Sequence, residues 1–411
     1  MTPISPRIQT LQDMIGTPDQ QTALNTFWVE VEAQGTPLFD PIDDTHCLLT
    51  FVVRSEDAES ITVISNLGTG DFADKAMTRF ADTDVWYRSY VVERGFRMTY
   101  AISLNEPLTP PTADDYLQRV ENWLPDPLND KQWHIPAYDL NTVSWARIVS
   151  IAEAPDAPPQ TWHLPHEGVP RGTVTSQPFH SDILDNDREL WVYLPPDYDS
   201  SGDDYPLLIA FDGWEYLHLI QAPHTLDNMI ASGTIAPCIM VMVGNVKGRR
   251  DAELTCNPDF ARCVNDEILP LIQAQFRVRT ASEQVTLSGC SFGGLTSTWL
   301  AVTHPHLFGN VLSLSGAFWW KPPETNEFGW LMREIVQKRP APKRIFMDVG
   351  THELARSVNY PGIYFSNHHM RDLLTVLDWE VHYHQFHGHH EYLSWRGGFA
   401  DGLITLSEKN V

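Results

Sequence analysis

The chain has 411 residues, 42% of them hydrophobic and 14 of them tryptophan, enough for two or three domains with sizeable cores. Its 53 acidic against 28 basic residues give a formal charge of -25, which argues against the nucleic-acid backbone or an anionic membrane surface as partners. No apolar run approaches the roughly 18 residues of a membrane span, the opening stretch MTPISPRIQTLQDMIG lacks the apolar centre of a signal peptide, and the expected compartment is the cytoplasm.

Residues 1–20 read as a short helical or loose lead-in. Strand-like runs follow from Phe27 to Leu104: Thr26–Val31, His46–Val53, Ile61–Ile64, Asp84–Val92 and Phe96–Ile102. Gly, Asp, Asn and Pro clusters separate them at intervals that suit a β-sandwich. From Pro107 to Trp145 the chain is rich in Pro, Asp and Asn, with Asp126-Pro127-Leu128-Asn129 its most turn-like point, and it reads as a long irregular connection. The expected division is a β domain over residues 1–153, a Pro-stiffened linker over 154–160 and a second domain over 161–411.

In that second domain, apolar runs at Leu190–Leu194, Leu207–Phe211, Ile239–Val243, Val285–Leu287, Val311–Ser315, Arg344–Val349 and Val381–Phe386 alternate with helical patterns at Asp259–Phe276, Leu295–Thr303, Phe328–Lys338 and Ser366–Leu377. Near-continuous apolar strands between helices indicate a mostly parallel sheet covered on both faces. Five cysteines, Cys47, Cys238, Cys256, Cys263 and Cys290, are odd in number and lack paired metal spacing, so reduced thiols are expected.

Gly289-Cys290-Ser291-Phe292-Gly293 sits between the run Val285–Leu287 and the helical pattern from Leu295. The order strand, G-x-S-x-G, helix is that of a nucleophile elbow, a sharp turn that holds the serine hydroxyl clear of the backbone at the C-terminal edge of a sheet. An elbow serine needs a base and an acid, in the chain order Ser, Asp/Glu, His. Glu353, in Gly350-Thr351-His352-Glu353 just beyond a strand end, is the preferred acid over Asp348 and Asp378. His390 is the preferred base in the terminal loop, with His387 and His389 as competing neighbours. The N–H of Phe292 and that of Trp214, in the loop Asp212-Gly213-Trp214-Glu215, are expected to donate to an oxyanion. A zinc hydrolase is the rival reading of the crowded histidines, since His382 and His384 share one strand face.

Several stretches carry a more specific resemblance: Asp212-Gly-Trp, Arg250-Asp-Ala-Glu-Leu-Thr-Cys-Asn257 with Phe260, Ser291-Phe-Gly-Gly-Leu, Ser315-Gly-Ala-Phe-Trp-Trp320, Gly350-Thr-His-Glu353 with Asn367, and Gly388–Gly398. With these the chain resembles, over most of its length, the enterochelin (enterobactin) esterases, hydrolases of catecholate siderophores within the esterase D group. The resemblance implies an immunoglobulin-like N-terminal domain that helps cover the site, and an α/β-hydrolase domain that cleaves the ester bonds of a tricatecholate trilactone. It gives Ser291 as nucleophile, His390 as base and Glu353 as acid. The chain departs from the family where Gly388-His389-His390-Glu391 stands in place of the frequent Gly-Gly-His-Asp, and the register still selects His390.

A ferric tricatecholate is a trianion with aromatic faces, so Arg250 and Arg396, with Lys247 and Arg249 nearby, and the walls Trp214, Trp319 and Trp320 are expected to bind it. No cofactor or metal is expected, iron arriving only within the substrate. Nothing in the sequence sets the number of subunits. A carboxylesterase or peptidase of the same fold, or a glycan-binding protein with an inactive hydrolase half, are the alternative functions.

Overall fold

The computed structural model describes residues 4–68, 72–140, 143–341, 343–354 and 362–407, and the chain forms two compact units. The first comprises Met1–Pro158 with His387–His389. It opens with helices Pro6–Met14 and Gln20–Gln34, the first started by Ser5, whose hydroxyl accepts from the Arg7 N–H, and by Pro6. The strand expected at Thr26–Val31 is therefore helical. Leu24, Phe27, Trp28 and Val31 are all buried while Val29 is 65% exposed, which is the i, i+3, i+4, i+7 stripe of a helix and not strand alternation. Aromatic and β-branched residues suggested a strand, and the packing of one face overrode that preference.

Among the described residues eight strands follow in this unit: β1 (Leu38–Pro41), β2 (His46–Arg54), β3 (Ile61–Ile64), β4 (Thr78–Arg79), β5 (Val85–Glu93), β6 (Arg97–Leu104), β7 (Gln132–Ile135) and β8 (Arg147–Glu153). They form two four-stranded antiparallel sheets, ordered β1-β2-β5-β4 and β3-β6-β8-β7. Both sheets contribute to one apolar cluster, with Leu49 and Phe51 of β2, Val63 of β3 and Met98 and Tyr100 of β6.

The stretch read as an irregular connection contains a helix, Tyr116–Glu121, and the edge strand β7. The helix is pinned by a buried Arg119–Glu106 ion pair at 2.6 Å. β7 alternates exposed Gln132 and His134 with half-buried Trp133 and Ile135, too short a run to stand out in sequence. Asp126, at the turn-like point, is buried and accepts from the hydroxyls of Thr36 and Tyr100 at 2.8 and 2.7 Å.

The second unit comprises Pro159–Phe386 with His390–Val411. Its strands are β9 (Thr173–Ser181), β10 (Asn186–Leu194), β11 (Leu207–Phe211), β12 (Ile239–Val243), β13 (Val285–Cys290), β14 (Asn310–Leu314), β15 (Arg344–Gly350) and β16 (Glu380–Phe386). They build one mixed sheet ordered β16-β15-β14-β13-β11-β12-β10-β9. β9 and β10 form an antiparallel hairpin, β10 runs antiparallel to β12, and the remaining pairs are parallel. β11, β12 and β14 are buried at every position because both faces are covered. Ile209, Val241 and Leu287 enter one apolar cluster, while their neighbours Leu208, Ala210, Met240 and Met242 enter the cluster on the opposite face.

The chain leaves β11 toward β12 on one side and returns as β13 on the other side of β11. Such a reversal opens a crevice at the carboxyl ends of the two strands it separates, where open α/β sheets bind ligands. β11 ends at Phe211 and β13 at Cys290, so the loop from Asp212 and the residue Ser291 flank that crevice.

Candidate active site

Ser291 follows β13 directly and caps the helix Phe292–Thr303, with φ 57° and ψ -117°. A side-chain-bearing residue held there costs about 1–3 kcal/mol, which the surrounding hydrogen bonds sustain. The Ser291 N–H donates to the Leu314 carbonyl at 2.8 Å, and its carbonyl accepts from Ala317 at 2.9 Å and from Leu295 at 3.1 Å. The strand and helix cross so closely that a methyl group at Gly289 would lie 2.3 Å from the Gly293 carbonyl carbon. Glycine at that position is what lets the turn close. Phe292 occupies the first helical position, where backbone N–H groups have no intrahelical acceptor.

The expected acid and the expected base meet. The His390 Nδ1 lies 2.7 Å from Glu353 Oε2, and Glu353 is 6% exposed. The other oxygen of Glu353, Oε1, accepts from the Ser315 hydroxyl at 2.6 Å and from the Gly350 N–H at 2.9 Å. Ser315 in turn accepts from Trp395 Nε1 at 2.9 Å, and the His390 ring stands edge-on to Trp395 with centroids 4.6 Å apart. With Nδ1 committed to the carboxylate, Nε2 is the nitrogen left to serve a hydroxyl. Ser315 extends β14, the strand whose end also receives the Ser291 N–H, so one strand terminus braces both Ser291 and Glu353. Neither Ser315 nor Trp395 was singled out for a role by spacing alone; both lie in the stretches that carry the family resemblance.

Asp348 is fully buried, and burial pushes its carboxyl well above the usual range. Its Oδ1 accepts from the Ser315 N–H, and a methyl at Gly398 would lie 1.9 Å from Oδ2, so helix Tyr392–Ser407 leaves no room there for an imidazole. Asp378 precedes β16 while His390 follows it, which puts the two at opposite ends of a seven-residue strand, roughly 23 Å apart. His387 and His389 belong to the first unit. There His387 Nδ1 lies 3.5 Å from Glu93 Oε1, and His389 is buried edge-on to Phe96. Among the described residues no group of three or more His, Cys, Asp or Glu side chains converges to hold a metal ion; His382 is turned to Glu380 at 3.1 Å.

After β11, Gly213–Glu215 form one helical turn, and the Trp214 N–H lies in it, at the end from which N–H groups point outward. Its indole is buried against His218, so Trp214 is core rather than an open wall. Arg250 is turned inward as well. Its Nε and Nη2 donate to Asp212 Oδ1 and Oδ2 at 2.6 and 2.7 Å, and Asp212 is fully buried. Burial opposes the Arg250 charge, and Asp212 more than offsets it, so the guanidinium pKa is raised. Arg396, on helix Tyr392–Ser407, donates to the Gln160 side-chain oxygen at 3.1 and 3.2 Å. Lys247 and Arg249 are exposed. Trp319 lies against Phe292 with ring centroids 5.9 Å apart, beside the elbow, and Trp320 packs on Trp330.

The family model "Putative esterase" matches residues 181–406, and the model "Enterochelin esterase, N-terminal" matches residues 48–163. The iron(III) enterobactin esterase of Dickeya dadantii is 28% identical over 94% of this chain and 93% of its own length. The enzyme of that name from Escherichia coli K12 is 27% identical over 81% of this chain and 82% of its own. The crystal structure of ferric enterobactin esterase from Salmonella typhimurium superposes with a TM-score of 0.77 at 25% identity, covering 93% of this chain and 98% of that one.

Proposed function

This chain belongs to the esterase family matched over residues 181–406, and on that premise we propose that it is a serine esterase that opens the ester bonds of a catecholate siderophore, an enterobactin-like trilactone, to dihydroxybenzoyl-serine units. The observation that carries the mechanism is the 2.7 Å contact of His390 with buried Glu353, which with the left-handed elbow backbone of Ser291 supports a serine, histidine and glutamate set. The likeness to iron(III) enterobactin esterases over 81% to 94% of the chain supports the substrate class.

Ser291 Oγ attacks the ester carbonyl carbon as His390 Nε2 takes its proton, and Glu353 holds the imidazole in the tautomer with Nδ1–H and stabilises the imidazolium. The carbonyl oxygen becomes an oxyanion, received by the N–H groups of Phe292 and Trp214. Collapse breaks the ester C–O bond, and the proton on His390 passes to the departing seryl oxygen. Water, deprotonated by His390, then attacks the acyl carbon; the bond to Ser291 Oγ breaks, His390 returns its proton to that oxygen, and the carboxylate is released. These steps use protein groups alone; iron enters as part of the substrate. Trp319 and Trp320 supply aromatic surface to the catechol rings, and Arg396 supplies positive charge, Arg250 being committed to Asp212. The two antiparallel sheets of the first unit support an immunoglobulin-like arrangement, and the free thiols support a reducing, cytoplasmic setting.

Incubation with ferric and iron-free enterobactin, followed by chromatography, is expected to yield dihydroxybenzoyl-serine. Ser291→Ala is expected to lose at least about 1000-fold in kcat while still binding the siderophore. Hydrolysis of simple nitrophenyl esters with none of the trilactone would instead assign a general carboxylesterase. Undiminished turnover in the alanine variant would remove Ser291 from the mechanism.

A further inference from the structure

The ion pair between buried Asp212 and half-buried Arg250 lies where three segments of the crevice meet. Asp212 is the last residue before the turn that carries the Trp214 N–H, and its own backbone is left-handed, with φ 63° and ψ 53°. Its carboxylate accepts from both arms of Arg250 and, at Oδ1, from Asn245 Nδ2 at 2.7 Å. Asn245 and Arg250 come from the segment after β12. On the third side, a methyl added at Gly293, two residues past Ser291, would lie 3.5 Å from Asp212 Oδ2. The Gly213 backbone packs so closely on β12 that a methyl there would fall 2.7 Å from the Met242 carbonyl.

We propose that Asp212, Arg250 and Asn245 form a positioning unit that sets the oxyanion-binding turn against the nucleophile elbow, with Arg250 acting through Asp212 and not as a direct clamp on substrate. This rests on the serine-esterase reading above. Two physical consequences follow from the geometry. A bidentate guanidinium–carboxylate pair fixes orientation as well as distance, so the turn that carries Trp214 is held by a planar fork on one side and the glycine contact on the other. The same pair cancels the charge of a carboxylate that would otherwise sit beside a developing oxyanion and oppose it. Both effects act on the transition state and leave ground-state binding largely alone, which separates this role from that of a substrate-binding arginine.

The test uses the full chain with a simple nitrophenyl ester and the trilactone. In Asp212→Asn, which keeps the shape and removes one charged acceptor, kcat is expected to fall by at least about 30-fold while KM stays within about threefold. Arg250→Lys keeps the charge but loses the fork, and a fall in kcat of about tenfold with unchanged KM is expected. Both are to be assayed well below their melting temperatures. A loss confined to KM, or a kcat within twofold of the parent in both folded variants, overturns the proposal. Should neither variant fold, Asn245→Ala removes one donor only: a severalfold lower kcat at constant KM supports the positioning role, and unchanged kcat overturns it. Ser291→Ala, run alongside, tests the esterase reading itself, so failure of one is distinguishable from failure of the other.

Discussion

Glu353 shows how a single carboxylate is oriented by its neighbours. Two donors, the Ser315 hydroxyl and the Gly350 N–H, hold its Oε1, which leaves Oε2 to face His390 Nδ1. Glu215 illustrates the opposite treatment. It closes the turn that carries Trp214, and burial, reinforced by the nearby Asp212 charge, pushes its pKa up to about 7, against an ordinary value of 4.5. A carboxyl with a raised folded-state pKa binds its proton more tightly in the native chain. Its contribution to stability is therefore complete below about pH 4.5 and is lost as pH rises through 7, with a slope of about 1.4 kcal/mol per pH unit per proton. Glu215→Gln is expected to remove that part of the decline. Urea unfolding of both proteins at pH 5 and pH 7.5 checks it: the parent should lose more of its midpoint between the two than the variant, and equal losses would mean that Glu215 does not carry the proton.

The elbow shows the same logic carried by a whole element. β13 and helix Phe292–Thr303 pack backbone to backbone at Gly289, and no rotamer can relieve a methyl 2.3 Å from a carbonyl carbon. Gly289→Ala is expected to cost about 1–3 kcal/mol in stability and to displace Ser291 enough to lower kcat by on the order of 100-fold. Thermal melts and steady-state rates measure the two, and parental values of both would show that the crossing relaxes without moving the serine.

What the sequence revealed at this scale divides along physical lines. β11, β12 and β13 are short apolar runs buried on both faces, and their pattern is unmistakable. Helix Gln20–Gln34 was hidden because Phe, Trp and Val favour strands while its buried stripe follows helical spacing. β9 was missed because most of its residues are exposed at the sheet edge. At the site, the elbow turn at Ser291 and the pairing of Glu353 with His390 were legible because chain order and strand ends mark them. The inward turn of Arg250 was not, since nothing in the local pattern announces that Asp212, 38 positions earlier, would claim it.

At the scale of the molecule, a charge of -25 confronts a proposed substrate that is itself a trianion. The two facts oppose each other, and ionic strength decides how far. At 10 mM salt the screening length is roughly 30 Å, so the field of the whole chain reaches an approaching ligand; at 150 mM it is roughly 8 Å, and only charges lining the crevice still act. Arg250, paired with Asp212 at the start of the turn that carries Trp214, has its charge offset and does little to reverse the long-range repulsion. The kcat/KM for ferric enterobactin is therefore expected to rise severalfold between 10 and 150 mM sodium chloride, while that for a neutral nitrophenyl ester stays flat. Rates for both substrates measured across that range decide the point. A fall with salt for the ferric substrate alone would mean that a local cationic funnel outweighs the net charge, and the search for its residues would begin at Arg396 and the exposed pair Lys247 and Arg249.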